Sequence, residues 1–175
     1  MCDGLERVAY HEAGHVVAFL AFDYPFEYVT IFHPHGCGDE SCPHVHAPFV
    51  EETQKQEKFQ DQEVEQLIMI RLAGIAAERI RRNDDNKTPL PLDDRRSMDY
   101  VRSGDLYEQV HGITTDRGEQ LRQLLDRVQG LLEKPRIWRQ VEVVAQALLQ
   151  LVRSTEVVRL TFNEVRQIVD GVDQS

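Results

Sequence analysis

Near the start of the chain, Ala9-Tyr10-His11-Glu12-Ala13-Gly14-His15-Val16-Val17-Ala18 holds the pattern H-E-x-x-H. Residues four apart on an α-helix differ by roughly 40° in direction and by about 6 Å along the axis. His11 and His15 therefore point the same way from adjacent turns, and two imidazoles so placed can grip one zinc ion at about 2.0–2.1 Å each. Glu12 sits beside His11 on the rim of that face, where it reaches a metal-activated water rather than the metal. A carboxylate there is a general base for hydrolysis. The bland alternative is an amphipathic helix with two histidines by chance, but a buried His-Glu-His trio without a task costs desolvation.

Two histidines do not complete a catalytic zinc site, which usually has three protein ligands and one open position. The extended motif with a third histidine is absent. A Glu-x-x-x-Asp runs from Glu57 to Asp61 in a polar stretch, which makes it a weak candidate. Asp99 and Asp105 are better ones, each two residues after a serine. In one continuous helix they stand about 240° apart, so they cannot serve one site together. A helix starting at Ser97 puts Asp99 on a stripe with Ser103, Leu106 and Val110. A helix capped by Ser103 puts Asp105 in its first turn, beside Leu106, Val110 and Ile113. Periodicity leaves the choice open.

A second concentration of ligand types follows the first helix: His33, His35, Cys37, Cys42, His44 and His46. Cys-x4-Cys with flanking H-x-H pairs fits no common structural-zinc spacing, so this is either a second metal site or a polar lip beside the groove. Glu78 lies among apolar and small residues. It either orients a metal-bound imidazole or pairs with Arg81 or Arg82.

The elements that must position these residues are mostly helical. The first helix spans about Leu5 to Phe22, ended by Asp23-Tyr24-Pro25. Glu27–His33 and His44–Val50 read as two strands, the second edge-like because of Pro48. A long helix from about Phe59 to Arg82 carries a broad apolar face from Val64 to Ile80. Asn83–Pro91 is a turn-rich break. Helices follow around Leu106–Val110, from Asp116 to Leu132, from Pro135 through Val152, and from Thr161 to Val169. The expected fold is mainly α (α+β), a helical bundle with a small two-stranded β element, in a single domain over residues 1–175.

The chain has 175 residues, 41% of them hydrophobic, enough to bury a core. Its net charge of −10 argues against nucleic acid and anionic membrane surfaces. Its three cysteines are too few for a disulfide framework. With no secretory signal and no spanning run in the sequence, the expected location is cytoplasmic.

The run Ala-Tyr-His-Glu-Ala-Gly-His resembles the peptidase domain of the FtsH family of ATP-dependent zinc metalloproteases. Gly74-Ile75-Ala76-Ala77-Glu78 resembles that family's Gly-x-Ala-Ala-Glu helix, and Val141 to Ile168 its closing helices. The family's third zinc ligand is an Asp followed by an apolar residue. Ser103-Gly104-Asp105-Leu106 resembles that segment more closely than Ser97-Met98-Asp99-Tyr100. The resemblance thus implies a zinc metalloendopeptidase with His11, His15 and Asp105 on Zn2+ and Glu12 as base. Its substrate would be a peptide or unfolded protein, with a separate ATPase partner or a homo-oligomer compatible with that reading. The sequence departs from the family in carrying no ATPase domain and in its His- and Cys-rich loop. The reading from another class is a non-catalytic zinc-binding regulatory or interaction domain.

Overall fold

The computed structural model describes residues 3–31, 44–48, 61–82, 95–112, 115–154 and 159–172. In chain order these form α1 (Asp3–Ala21), β1 (Tyr28–Thr30), β2 (His44–His46), α2 (Asp61–Arg82), α3 (Arg95–His111), α4 (Arg117–Leu132), α5 (Pro135–Ser154), β3 (Leu160–Thr161) and α6 (Phe162–Val172). The fold is mainly helical, as expected.

The core is built around α2. From Leu67 to Glu78 nearly every residue is buried, so this helix is covered on all sides. It packs on α1, α3 and α4, while α1 also packs on α5. A glycine at position 14 allows α1 and α2 to touch. A Cβ on Gly14 would lie 2.5 Å from the carbonyl oxygen of Ala73 and 2.7 Å from the Ala77 side chain. The backbones thus meet where a side chain would hold them apart. This close crossing lays the histidine face of α1 against α2.

The end of α1 is set one turn before Pro25. Asp23 adopts a left-handed backbone conformation with φ of 59°. Tyr24 N–H donates to the Phe19 carbonyl at 2.9 Å and Asp23 N–H to the Leu20 carbonyl at 3.2 Å. These are the two bonds of a Schellman motif, with aspartate in the place glycine usually takes.

The sheet has three strands, not two. Its order is β2-β1-β3, antiparallel throughout, with Tyr28 opposite His46 and Thr161, and Thr30 opposite His44. Alternation puts Val29, Val45 and Leu160 on one face and Tyr28, Thr30, His44, His46 and Thr161 on the other. Val29 and Leu160 enter the core. A reciprocal cap then starts α6 at Thr161: its N–H and hydroxyl donate to the Glu164 carboxylate, each at 2.7 Å. These bonds hold the Glu164 carboxyl below its usual range.

The third long helix decides the site. α3 starts at Arg95 and runs unbroken to His111. Ser103 is not a cap. Its hydroxyl donates to the Asp99 carbonyl one turn back, at 2.6 Å, and the residue is wholly buried. Gly104 lies under the guanidinium of Arg117, which pairs with Glu108 at 2.6 Å and ties α4 to α3. The small residues at 103 and 104 therefore serve helix packing rather than helix initiation.

Candidate metal centre

Each histidine nitrogen has a definite partner. His15 Nδ1 lies 2.7 Å from the Ile70 carbonyl oxygen. A carbonyl only accepts, so Nδ1 carries the proton and a neutral His15 presents a lone pair at Nε2. His11 Nδ1 lies 2.9 Å from Glu78 Oε1, fixing the same tautomer. The two Nε2 atoms then face each other at 3.0 Å. Asp99 Oδ2 joins them, 3.0 Å from His11 Nε2 and 3.7 Å from His15 Nε2.

Three electron-pair donors converging at such distances need a positive charge between them. Without a metal, the charge is a second proton on His11. Burial opposes the imidazolium, but hydrogen bonds with Asp99 and Glu78 and the nearby Glu12 carboxylate outweigh it and raise the pKa to about 10. Asp99 is displaced the other way. Burial works against its ionised form, yet the two histidines hold its carboxyl well below the usual range. The same three donors can hold a metal ion. In a tetrahedral zinc site with bonds of about 2.0–2.1 Å, ligand atoms stand roughly 3.3 Å apart. The separations of 3.0, 3.0 and 3.7 Å bracket that value.

Asp99, not Asp105, completes the group. The reason is the helix start at Arg95. It puts Asp99 in the second turn, on the inner stripe with Ser103 and Leu106, and turns Asp105 outward into solvent. The resemblance of Ser103-Gly104-Asp105-Leu106 to the family segment pointed to Asp105, which stands exposed and apart from the two histidines. Asp61 is exposed at the start of α2, and Glu57 lies outside the described residues, as do His33, His35, Cys37 and Cys42. His44 and His46 share one face of β2. His46 stacks on Tyr28 with ring centroids 5.0 Å apart and sits 3.6 Å from Glu27.

Glu12 is 5% exposed and lies near enough to His11, His15 and Asp99 to feel their charges. Burial raises its carboxyl pKa and the Asp99 carboxylate adds to this, while His11, His15 and His44 favour its charged form. Glu78, 4% exposed, is buried rather than partly exposed and makes both contacts. One oxygen orients His11, and the other accepts from Arg82 at 2.9 Å. Such a carboxylate behind a ligating histidine fixes the ring and strengthens its basicity.

Two contributors carry no signal of their own in the sequence. The Ile70 carbonyl is backbone, so no residue type announces it. Gly74 is the floor of the site: a Cβ there would lie 2.5 Å from His15 Nε2 and 2.6 Å from His11 Nε2. Gly74→Ala should therefore keep the helix, which alanine favours by roughly 1 kcal/mol, but push the histidines off their metal geometry. Metal affinity should fall at least tenfold, the lower bound for losing an orienting partner. A competition titration with a chromogenic chelator, beside circular dichroism, checks both halves.

No family model matches the chain, and no curated protein matches its sequence.

Proposed function

We propose that this domain is a zinc-dependent peptidase in which His11, His15 and Asp99 hold the ion and Glu12 is the general base. The observation that carries the reading is the convergence of three ligand atoms, each fixed from behind or beside, next to a buried carboxylate. A zinc ion bound there supplies a lowered water pKa and polarisation of the substrate carbonyl. Glu12 takes a proton from the attacking water as its oxygen bonds to the carbonyl carbon. It then delivers that proton to the amide nitrogen as the C–N bond breaks, leaving a carboxylate and an amine. A raised carboxyl pKa brings the base closer to the working pH. Glu78 keeps His11 in the tautomer that frees Nε2, and Ile70 does the same for His15. The resemblance to FtsH peptidase domains agrees with this assignment of His11, His15 and Glu12.

The test is metal-dependent cleavage. Purified protein should contain close to one zinc per chain, with anomalous scattering at the zinc edge peaking between His11, His15 and Asp99. Cleavage of an unfolded protein such as casein should stop on chelation and return with zinc. Zinc bound elsewhere, or cleavage indifferent to the chelator, would overturn the proposal.

The proton on His11 gives a further expectation. Its folded pKa of about 10 exceeds the ordinary 6.5. Its contribution to metal-free stability is therefore complete below about pH 6.5 and lost as pH rises through about 10. Zinc must displace that proton. Zinc affinity should accordingly climb by up to about tenfold per pH unit from about pH 6 to about pH 9. The rise in Tm on adding zinc should widen over the same range. Thermal melts with and without zinc across the series check it; a pH-independent difference would mean that no proton is exchanged.

A further inference from the structure

The centre uses Ile70, Gly74 and Glu78 of α2 but leaves Arg71 without a task. Arg71 follows the residue whose carbonyl holds His15, and its Nε–H is buried with no hydrogen-bond partner among the described residues. A buried donor left unbonded is costly, and more so when charged. Its neighbours on α3 sharpen the point. Arg102 stands one turn beyond Asp99, close enough to repel the Arg71 guanidinium. Burial and this second cation make Arg71 less basic than usual, while Asp99 and Asp105 act in the opposite sense. Asp99 is committed to the two histidines. Asp105 is turned to solvent. Two mutually repelling guanidinium groups and an unbonded donor beside a reaction centre describe a place for an anion.

We infer that Arg71 and Arg102 form a carboxylate-binding subsite beside Asp99, so that peptides bearing a carboxylate near the scissile bond are bound best. This rests on the peptidase reading, whose substrate class it narrows. Guanidinium forks match carboxylates in shape and bind them with charge-assisted hydrogen bonds. The chain carries a net charge of −10. Its overall field disfavours acidic peptides, so a preference for them has to arise locally. The carboxylate has two sources, a peptide C-terminus or an Asp or Glu side chain, and the subsite chemistry is common to both.

The experiment uses the zinc-loaded full chain carrying Glu12→Gln to prevent turnover. Binding of four matched fluorescent peptides is measured by anisotropy: Glu or Gln next to the central bond, each with a free or an amidated C-terminus. A carboxylate peptide should bind roughly 10–100-fold more tightly than the doubly neutral one, as expected for a hydrogen bond to a charged group. The arm that shows the gain identifies the source. Arg71→Met should bring the favoured peptide down to the affinity of the neutral one, with zinc content unchanged. Arg102→Gln, at an exposed position, should lower the discrimination in part without risk to the fold. Four equal affinities, no binding at all, an Arg71→Met loss of one factor for every peptide, or full discrimination in Arg102→Gln would each overturn the subsite. Discrimination in binding without cleavage by the zinc-loaded wild type would sustain the subsite and overturn the peptidase reading instead. Cleavage without discrimination would do the reverse.

Discussion

Glu12→Gln should lose peptide hydrolysis by roughly 10²–10⁴-fold, the range a general base contributes, while zinc content and thermal stability stay near those of the wild type. Glutamine matches glutamate in size but cannot take a proton from water. The side chain is buried, so the replacement removes a carboxyl whose ionised form burial opposes. No hydrogen bond of the ligand group passes through Glu12: His11 is held by Glu78 and Asp99, and His15 by the Ile70 carbonyl. The metal group should therefore survive the exchange. Zinc analysis and a casein assay on the same preparation check it. Loss of zinc together with activity would make Glu12 a ligand or a brace, and the mechanism would need another base. Zinc retained with unchanged cleavage would remove Glu12 from the chemistry altogether.

How much of this was legible in the sequence follows from which interactions were local. α1 was readable almost to the residue, because H-E-x-x-H and the apolar run from Val16 share one helical period. The long second helix was equally clear from its dense apolar face, and α4 and α5 from their leucine and valine spacing. β3 was not, since two residues are too few to show a period of two, and their pairing partner is β1, far earlier in the chain. Glu78 stood out as a carboxylate among small residues. Its division between His11 and Arg82 needed α1 and α2 in contact. Gly74 was visible only as part of a motif. That it makes room for two imidazoles is a fact of helix crossing, which no spacing within α2 expresses.

The third member of the group shows the limit most plainly. Asp99 and Asp105 each fitted a stripe, and the deciding quantity was where α3 begins. Ser103 resembled a helix start because Ser caps helices. That signal arose from another cause. Ser103 returns its hydroxyl to the Asp99 carbonyl inside the helix, and Gly104 admits Arg117 from α4. Tertiary packing imitated a local signal, and the resemblance to a known segment favoured the same later helix start.

The contrast between the two aspartates is also the second large effect. Asp99→Ala should weaken zinc binding by at least the 10–100-fold typical of losing a supporting partner, and by more because a ligand itself is lost. Asp105→Ala should leave zinc affinity unchanged and shift stability by no more than about 0.5 kcal/mol, as for an ordinary exposed position. Asp99→Ala also leaves the His11 imidazolium of the metal-free protein with Glu78 as its one remaining hydrogen-bonded carboxylate among the described residues. With the Asp99 hydrogen bond gone, burial pushes the His11 pKa down from about 10. The two histidines then no longer share a compensated charge, so the metal-free mutant should melt below the wild type at pH 6, where the wild-type pair is fully formed. At about pH 10 the imidazolium is half lost even in the wild type, and the two melting points should draw together. Zinc titration of both single mutants, with metal-free melts at the two pH values, reads all of this at once. A mild Asp99→Ala beside a zinc-deficient Asp105→Ala would mean that α3 is turned about its axis from the arrangement described, bringing Asp105 onto the histidines.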